Sequence, residues 1–414
     1  MLAINGGKPI IKDRNEAKFN WPVVDKEVED AVLKQLHKTT SIYDRSGVIK
    51  EFEDDFKNYH DVEFGLLTNS GTNALYSIFV GADLKEGDEV ICPVYTFFAT
   101  ISPIFFTGAT PVLCEAQADG NIDPKKIEEL ITPKTKAVMI THMWGIPCDM
   151  DKLVGICKKY DLKLFEDCSH AHGATYKGKL LGTFGDAAAW SLQGPKIITG
   201  GEGGIMLTKD RDIYYRALLL GHYHKRCRQE IPDDYSLRKY ATTGMGLKLR
   251  SHPLAVAMMQ VYFSRIDKIH LGKKHTADKF NEAFGKLKGL RIPLMAEGSS
   301  PSWYGYVIQY VPEELGELSI EKFVEALHAE GLIEVDLPDS TGPLNELPLF
   351  QDPSDLFPSY RGKLSYKSED FPVAKKFYKN AIKLPVWFTE EDSVVVDNYI
   401  KGFEKVIKEH KSLL

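Results

Sequence analysis

Short apolar runs alternate with helical patterns from about residue 62 to 210, and this alternation restricts the fold more than any other feature of the chain. Asp123 and Pro124, for example, are typical of a helix cap followed by the first helical residue. Because strands that are separated by helices usually form a parallel sheet covered on both faces, we predict the α/β class. The predicted strands are the apolar runs at residues 90–92, 110–113, 137–140, 162–165, 187–190 and 205–207.

The pattern changes after about residue 253, where a long helical stretch is predicted to extend to about residue 287. Strand-like segments and further helices follow it, which predicts a smaller α/β domain. Its predicted elements are strands at residues 304–310 and, more weakly, 333–335, and helices at residues 319–330 and 389–410. We therefore place an N-terminal arm and the large domain in residues 1–252, and the long connecting helix and small domain in residues 253–414.

The composition and charge of the chain exclude several classes of function. With 414 residues, of which 43% are hydrophobic, the chain is long enough to form two cores. A net charge of −6 argues against a nucleic-acid partner. No apolar run is long enough for a signal peptide or a membrane span, so we predict a cytoplasmic protein without a membrane partner. The six cysteines lack the spacing of metal or redox motifs, and no metal site is predicted.

The first candidate motif is residues 68–75 (TNSGTNAL), where a strand-like stretch gives way to a helical pattern. The N-terminus of a helix offers free backbone N–H groups to a phosphate, and Gly71 allows a close approach. An ordinary helix cap formed by Ser or Thr would have the same sequence.

A second motif, residues 93–100 (PVYTFFAT), is rich in aromatic residues and follows an apolar strand. Ligands bind beyond the carboxyl ends of parallel strands, so one of these rings is placed to stack on a flat cofactor. Packing in the core is the alternative for the same rings.

The third motif is residues 164–172 (LFEDCSHAH), in which Glu166 and Asp167 end an apolar strand. A carboxylate at this point is able to pair with the protonated nitrogen of a pyridine ring and to keep that ring electron-withdrawing. A helix cap or a metal ligand would use the same residue type.

A single lysine lies among glycines and a proline in the fourth motif, residues 191–204 (SLQGPKIITGGEGG). A buried and deprotonated lysine forms an imine with an aldehyde, which makes Lys196 a candidate nucleophile. A solvated surface charge is the alternative. The glycines lack the spacing of a dinucleotide-binding fingerprint.

Together and in this order, the four motifs resemble the DegT/DnrJ/EryC1/StrS family of sugar aminotransferases. The resemblance extends beyond them, from residues 5–9 (NGGKP) to residues 370–374 (DFPVA) and 384–386 (LPV). Members of the family use pyridoxal 5'-phosphate and have the aspartate aminotransferase fold, known as fold type I. The resemblance thus implies a mostly parallel, seven-stranded sheet flanked by helices in the large domain, and a smaller C-terminal α/β domain.

The resemblance also assigns roles to three residues as the catalytic group. Lys196 would hold pyridoxal phosphate as a Schiff base and act as the general acid and base. Asp167 would pair with the nitrogen of the pyridine ring. His170 matches a position where the family carries Gln or His, near the face of the ring or its phenolic oxygen.

The remaining implied residues bind the cofactor. Gly71, Thr72 and Ser191 would bind the phosphate, and Phe97 would stack on the ring. Many family members have an Asn in a GYNYR stretch that reaches the phosphate of the neighbouring subunit. Residues 246–250 read GLKLR here, so Lys248 is implied to make that contact as a point charge. The active site would then be shared across a homodimer.

A second departure lies in residues 340–350 (STGPLNELPLF), which differ from the His-containing stretch common in enzymes that act on nucleotide-linked sugars. Whether the acceptor is nucleotide-linked, phosphorylated or free is therefore left open. These residues begin a segment, 341–368, that has no clear periodicity and is expected to form a long functional loop.

The implied reaction is a transamination in two half-reactions, in which glutamate or glutamine gives its amino group to the cofactor and a ketosugar or ketocyclitol receives it. Basic residues in 221–226, including Arg226, are expected to bind the polar or phosphorylated face of the substrate. One alternative is a pyridoxal phosphate-dependent sugar dehydratase, whose relatives carry histidine where this chain has Lys196. Another is a non-catalytic regulatory protein, in which some cofactor residues would be lost.

Overall fold

The strands of the chain form one large sheet and two small ones. The computed structural model describes residues 1–414. Its strands, in chain order, are β1 (Phe64–Thr68), β2 (Glu89–Pro93), β3 (Thr110–Cys114), β4 (Thr135–Thr141), β5 (Lys163–Asp167), β6 (Thr175–Tyr176), β7 (Lys179–Leu180), β8 (Ala187–Ser191), β9 (Gly204–Thr208), β10 (Leu290–Arg291), β11 (Ser299–Ser300), β12 (Tyr306–Tyr310) and β13 (Ala381–Leu384).

The large sheet has seven strands in the order β1-β9-β8-β5-β4-β2-β3. Neighbouring strands from β8 to β3 are parallel, whereas β9 is antiparallel to both β1 and β8. Each of the six predicted apolar runs overlaps one of these strands, and the mostly parallel, seven-stranded sheet is confirmed. Strands in such a sheet are apolar on both faces because helices cover both.

Helices flank the large sheet and continue into the C-terminal part of the chain. They are α1 (Lys26–Lys38), α2 (Gly47–His60), α3 (Gly71–Gly81), α4 (Ser102–Phe105), α5 (Pro124–Leu130), α6 (Met150–Lys159), α7 (Arg211–Gly221), α8 (His224–Glu230), α9 (Pro253–Ser264), α10 (Ile266–Phe284), α11 (Ile320–Ala329), α12 (Pro348–Gln351), α13 (Pro372–Lys379) and α14 (Ser393–Lys408). None of them combines the length and the apolar character that crossing a membrane requires.

Side-chain caps explain where several of these helices begin. The Asp123 carboxylate accepts a hydrogen bond from the N–H of Lys125 at the start of α5, and Pro124 occupies the first position, as predicted. Ser319 caps α11 in the same way, through the N–H of Lys322. Capping satisfies N–H groups that have no partner within the helix.

A second core lies around the antiparallel sheet β10-β12-β13, which α10, α11 and α14 cover. Phe280, Phe323 and Phe403 are buried in this core. Leu2 and Ile11, from the start of the chain, are buried there too, so the N-terminal segment packs with the C-terminal part of the molecule. The boundary placed between residues 252 and 253 stays a prediction.

Two helix predictions differ from the structure, one because the helix is interrupted and the other because it begins later. The long helix after residue 253 is divided into α9 and α10, because Arg265 has φ −100° and ψ 0° and interrupts the helical backbone. The last long helix begins at Ser393 rather than Thr389. Asp392 accepts hydrogen bonds from the N–H groups of Phe388 (3.2 Å) and Thr389 (2.8 Å), and these bonds fold the acidic residues into a turn.

The weak strand predicted at residues 333–335 is wrong. The N–H of Val335 bonds to the carbonyl of Leu332, and the N–H of Glu334 bonds to the Tyr399 hydroxyl, so neither is free for a sheet. Pairing is limited to an isolated bridge between Asp336 and Lys383.

The irregular segment 341–368 contains no long helix or strand, as expected, and packs tightly on the large domain. Phe350 and Tyr360 are 1% exposed. The Tyr360 hydroxyl donates a hydrogen bond to the carbonyl of Ala109 at 2.6 Å. The functional role given to this segment stays a prediction.

A buried ion pair joins α2 to α8. Both terminal nitrogens of Arg226 donate to the Glu53 carboxylate, at 2.9 and 2.8 Å, and the two side chains are 3% and 0% exposed. Glu53 also accepts from Arg45 and from the N–H of Leu67, while Arg226 donates to Glu230. Removal of one partner from such a pair is strongly destabilising, because the other charge is left buried without compensation.

Replacement of Glu53 by alanine is expected to lower the free energy of unfolding by about 3–5 kcal/mol, because Arg226 is then buried without its main partner. Urea unfolding measures the change. The matched control is Lys26→Ala, which removes an exposed ion pair with Asp30 and should cost less than about 1 kcal/mol. Equal losses in the two variants would contradict this assignment.

Candidate active site

A cavity of about 360 Å³ opens at the carboxyl ends of the parallel strands, where ligands bind in folds of this kind. Eight residues were given a catalytic or cofactor-binding role by the resemblance, and seven of them line this cavity, although they come from four separate segments. They are Gly71, Thr72, Phe97, Asp167, His170, Ser191 and Lys196.

Lys196 is buried, with 9% of its surface exposed, so it is not a solvated surface charge. Its backbone is fixed on both sides, because its N–H donates to the carbonyl of Gln193 and its carbonyl accepts from Trp21 Nε1. Its Nζ has no ion-pair partner and lies 4.2 Å from the centre of the Tyr304 ring. Burial lowers the pKa of Lys196 to about 8, although the charge of Asp167 opposes this effect. A substantial share of the amine is therefore neutral near physiological pH.

Asp167 lies at the end of β5 and is buried, but no cation pairs with it. Its Oδ2 accepts a hydrogen bond from Thr100 Oγ1 at 2.7 Å, and its Oδ1 accepts one from the N–H of Ser169 at 3.0 Å. Thr96 Oγ1 lies 2.8 Å from Thr100 Oγ1 and 3.0 Å from Thr141 Oγ1, which orients the hydroxyl that faces the carboxylate. Asp167 thus presents a carboxylate of fixed orientation to the cavity.

The neighbouring acid, Glu166, does not line the cavity, because adjacent residues of a strand point to opposite faces of the sheet. Its carboxylate accepts hydrogen bonds from the N–H groups of Gly182, Phe184 and Gly185, and it pairs with His142. Burial raises the pKa of Glu166, but these hydrogen bonds outweigh burial and hold it below the ordinary value. Glu166 therefore anchors a loop.

The N-terminus of α3 lies against the end of β8. Ser70 caps the helix through the N–H of Asn73, at 3.1 Å, which leaves the first N–H groups beside Ser191. A Cβ on Gly71 would lie 2.7 Å from the Cβ of Ser191, so only glycine fits at this contact. The close approach made by Gly71 is therefore to Ser191. The helix N-terminus and the Ser191 hydroxyl together form a suitable site for an anion.

His170 belongs to a stack of three rings at the edge of the cavity. Its ring centre lies 4.0 Å from that of Tyr304, with 10° between the planes, and 5.6 Å from that of Trp144. Its Nδ1 is buried without a hydrogen-bond partner. Burial and the nearby charge of Lys196 lower the pKa of His170 well below its ordinary value, so the ring is neutral.

Phe97 lines the cavity and is 40% exposed, so its ring is not packed in the core. Its ring centre lies 4.2 Å from that of Phe98. An exposed face at the mouth of the cavity agrees with stacking on a flat ligand, which stays a prediction.

Lys248 does not line this cavity. It is exposed, and its Nζ lies 5.4 Å from the centre of the Tyr223 ring. The contact predicted for it with a neighbouring subunit stays a prediction. The hypothesis that Arg226 binds substrate is wrong, because its guanidinium is buried against Glu53 and Glu230 and lines no part of this cavity.

Several residues of the cavity were missed in the sequence. They are Thr96, Thr100, Thr141, Trp144, Gln193, Glu202, Tyr304, Ser340, Thr341 and Lys383. Thr96 and Thr100 lie within the aromatic motif, where hydroxyl groups at the end of a strand were a usable signal. Tyr304 and Lys383 come from the C-terminal part of the chain, and no local pattern links them to Lys196.

Comparison with known proteins identifies, along nearly the whole chain, the same family that the sequence motifs resemble. The model of the DegT/DnrJ/EryC1/StrS aminotransferase family matches residues 24–398. The chain is 30% identical to GDP-perosamine synthase from Caulobacter vibrioides, over 93% of this chain and 97% of that one. It is 27% identical to L-glutamine:2-deoxy-scyllo-inosose aminotransferase from Micromonospora echinospora, over 100% and 99% of the two chains. The X-ray structure of the aminotransferase from Psychrobacter cryohalolentis superimposes with a TM-score of 0.82 at 25% identity, and covers 95% of this chain and 99% of that one.

Substitution of Gly71 by alanine should displace the N-terminus of α3 from Ser191, because the added methyl group has no space. We expect a loss of about 1–3 kcal/mol in the free energy of unfolding, measured with urea. Gly155→Ala is the control, since nothing lies within 4 Å of that position in α6, and it should gain about 0.5–1 kcal/mol. A Gly71→Ala variant as stable as the unchanged chain would contradict the contact.

The lowered pKa of Lys196 predicts its chemical reactivity. Only the neutral amine is acylated, so labelling of Lys196 should rise with pH through about 8, whereas exposed lysines should rise near 10.4. Brief treatment with acetic anhydride at several pH values, followed by peptide mass spectrometry, measures both in one sample. Lys209, which is exposed, serves as the internal control. The same midpoint for the two lysines would contradict the burial of the Lys196 amine.

Proposed function

We propose that this chain, which belongs to the DegT/DnrJ/EryC1/StrS aminotransferase family, uses pyridoxal phosphate to transfer an amino group from glutamate or glutamine to a ketosugar or ketocyclitol. One observation carries the proposal. The buried amine of Lys196 and the buried carboxylate of Asp167 face one cavity without pairing with each other or with any other charge. Buried charges without partners are costly in a protein that has no use for them.

The residues present fit this cofactor at both of its ends. The N–H groups of Gly71 and Thr72 and the hydroxyl of Ser191 are placed to bind the phosphate. Asp167 is placed to bind the protonated ring nitrogen, with Thr100 and Ser169 holding its oxygens in position. Phe97 would cover one face of the ring, and His170, which is neutral, would lie near the other face or the phenolic oxygen.

Pyridoxal phosphate, when it is bound, supplies an aldehyde and a ring that withdraws electrons from the reacting carbon. Lys196 would hold the aldehyde carbon through Nζ and, once the amino donor has displaced it, carry a proton at Nζ as general acid and base. Its lowered pKa suits both tasks, because the amine is neutral often enough to accept a proton. The lysine at this position also argues against a dehydratase, whose relatives carry histidine there.

A polyhydroxy ketone is supported as the acceptor by the polar lining of the cavity and by the relatives. Gln193, Ser340 and Thr341 bring hydrogen-bonding groups to the cavity, and Lys383 brings a charge. Among the relatives, one is named for a cyclitol ketone and another for a nucleotide-linked aminosugar. The proposal therefore covers sugars and cyclitols in free, phosphorylated or nucleotide-linked form.

We include a homodimer and a cytoplasmic location in the proposal. Met245 and Leu247 are 50% and 43% exposed beside Lys248, and the proposal places these side chains in the interface between the subunits. Lys248 would extend from this interface to the phosphate held by the neighbouring subunit. The six cysteines are all free and buried, which agrees with a reducing compartment.

The function is tested by screening acceptors with the spectrum of the bound cofactor. The chain is loaded with pyridoxal phosphate, treated with glutamate or glutamine until the visible absorbance is lost, and separated from the donor. Ketosugars and ketocyclitols in free, phosphorylated and nucleotide-linked form are then added, and at least one should restore the absorbance. A chain that gains no visible absorbance with pyridoxal phosphate would contradict the proposal.

Lys196→Ala is expected to lose the visible absorbance and to transfer amino groups at least about 1000-fold more slowly, because no other residue replaces a catalytic nucleophile and base. Lys209→Ala, at an exposed position without an ion pair, is the control and should be unchanged. Turnover by the Lys196→Ala variant within tenfold of the unchanged chain would exclude the role given to Lys196.

A further inference from the structure

We propose that Tyr304 is a further active-site residue, whose ring receives the ammonium group of Lys196 whenever that lysine is not covalently engaged, and that Lys273 holds Tyr304 in position. The inference rests on the proposed function, because it assigns the free state of the same lysine. Neither residue belongs to the four motifs that identify the family.

The contact between Lys196 and Tyr304 is direct. Nζ lies 4.2 Å from the centre of the ring, well inside the distance of about 6 Å at which an aromatic face attracts a cation. His170 also stacks on the Tyr304 ring, with the ring centres 4.0 Å apart. Burial raises the pKa of Tyr304 to about 12, so the phenol is neutral and the contact is not an ion pair.

No other group competes with the ring as a direct partner of the ammonium. The charged and titratable side chains that line the same cavity are Asp167, His170, Glu202, Tyr304 and Lys383. Outside its lining, His172 is close enough for burial and the charge of Lys196 to lower its pKa. Neither carboxylate is within ion-pair distance of Nζ, and His170 and His172 are neutral at physiological pH because burial lowers the pKa of each. Lys383 is paired with Asp336 at 2.7 Å. Asp167 favours the charged form of Lys196 from beyond ion-pair distance, and the Tyr304 ring is the group in direct contact with Nζ that favours it.

The backbone before Tyr304 is held in an unfavourable conformation. Trp303 has φ 54°, in the left-handed region that residues with side chains rarely adopt. Ser302 fixes one end of the segment, because its Oγ donates to the carbonyl of His170 at 2.5 Å and its N–H donates to the carbonyl of Gly145 at 3.1 Å. Such a conformation persists only where surrounding contacts impose it.

Lys273 holds the segment at Trp303, the residue between Ser302 and Tyr304. This lysine lies in α10, is 5% exposed, and its Nζ donates to the carbonyl of Trp303 at 3.0 Å. No carboxylate pairs with it, and burial lowers its pKa to about 7. The other neighbour of this ammonium group is the Phe19 ring, whose centre lies 5.7 Å away. A buried lysine with one hydrogen-bond acceptor is costly, and its cost is explained if that carbonyl must be held. Lys273 is thus a positioning residue, which acts on Lys196 through Trp303 and Tyr304.

The arrangement gives the Lys196 side chain a defined position when it is not bound to the cofactor. An amine released into a buried cavity without an acidic partner would lose its proton easily, and its position would vary. On the face of Tyr304 the ammonium is retained and held beside the reacting centre. Removal of the ring should therefore lower the pKa of Lys196 below its value of about 8 in the unchanged chain.

The test measures the pH midpoint of acylation of Lys196 in the full chain without cofactor, by peptide mass spectrometry. Tyr304→Leu should move the midpoint down by about 0.5 to 1.5, the effect of losing one cation–π contact. Tyr304→Phe keeps the ring and should leave the midpoint unchanged. Tyr240→Leu, at an exposed tyrosine, is the control for the substitution itself.

Fluorinated phenylalanines at position 304 separate electrostatics from packing. Fluorine withdraws electrons from the face of the ring but preserves its shape, so the midpoint should fall stepwise with the number of fluorine atoms, starting from that of Tyr304→Phe. A midpoint that does not change along this series, or that is unchanged in Tyr304→Leu, would overturn the role of Tyr304.

The role of Lys273 is tested with Lys273→Met, against Lys274→Met on the exposed face of the same helix. Lys273→Met should lower the midpoint as Tyr304→Leu does, and the double variant should show no further change, because both act through one contact. Additive effects would overturn the positioning role.

Measurement of the acylation midpoint needs no turnover, so failure of this inference can be distinguished from failure of the proposed function. A chain that transaminates but has an unmoved midpoint contradicts this inference alone, and a moved midpoint without transamination contradicts only the proposed function.

Discussion

The N-terminus of α3 packs directly on the ends of β8 and β9, and the position of the whole site depends on this contact. Gly71 touches Ser191, and a Cβ on Gly204 would lie 2.3 Å from the carbonyl oxygen of Ser70, so neither glycine has room for a side chain. The contact brings the free N–H groups of a helix beside a serine five residues before Lys196. Lys196 and Asp167 line the same cavity as this anion site.

Burial then gives these residues their chemical properties. The amine of Lys196 is removed from water without an acidic partner, so its pKa falls to about 8. The carboxylate of Asp167 accepts hydrogen bonds from Thr100 and Ser169 and has no cation beside it. An amine and a carboxylate thus line one cavity without pairing, which suits a ligand that carries an aldehyde at one point and a basic nitrogen at another.

Local patterns predicted a parallel sheet with candidate residues at the ends of its strands, whereas the number of strands and the residue roles came from the resemblance to a family. Apolar strands that alternate with capped helices indicate a parallel sheet, and the ends of those strands include Asp167 and Ser191. Patterns of this kind carry no information about contacts between distant segments. Tyr304 reaches Lys196 through the packing of α10 and β12, and the burial of Arg226 depends on Glu53, which is 173 residues away in the sequence. Both contacts became visible only in the folded structure.

Lys196 is proposed to be the one lysine that binds the cofactor covalently, and this role is open to direct measurement. The chain is mixed with pyridoxal phosphate and reduced with sodium borohydride, and tandem mass spectrometry locates the reduced cofactor on its peptides. We expect a single modified residue, Lys196, at one equivalent per chain. Stable modification of another lysine in its place, or no modification at all, would contradict it.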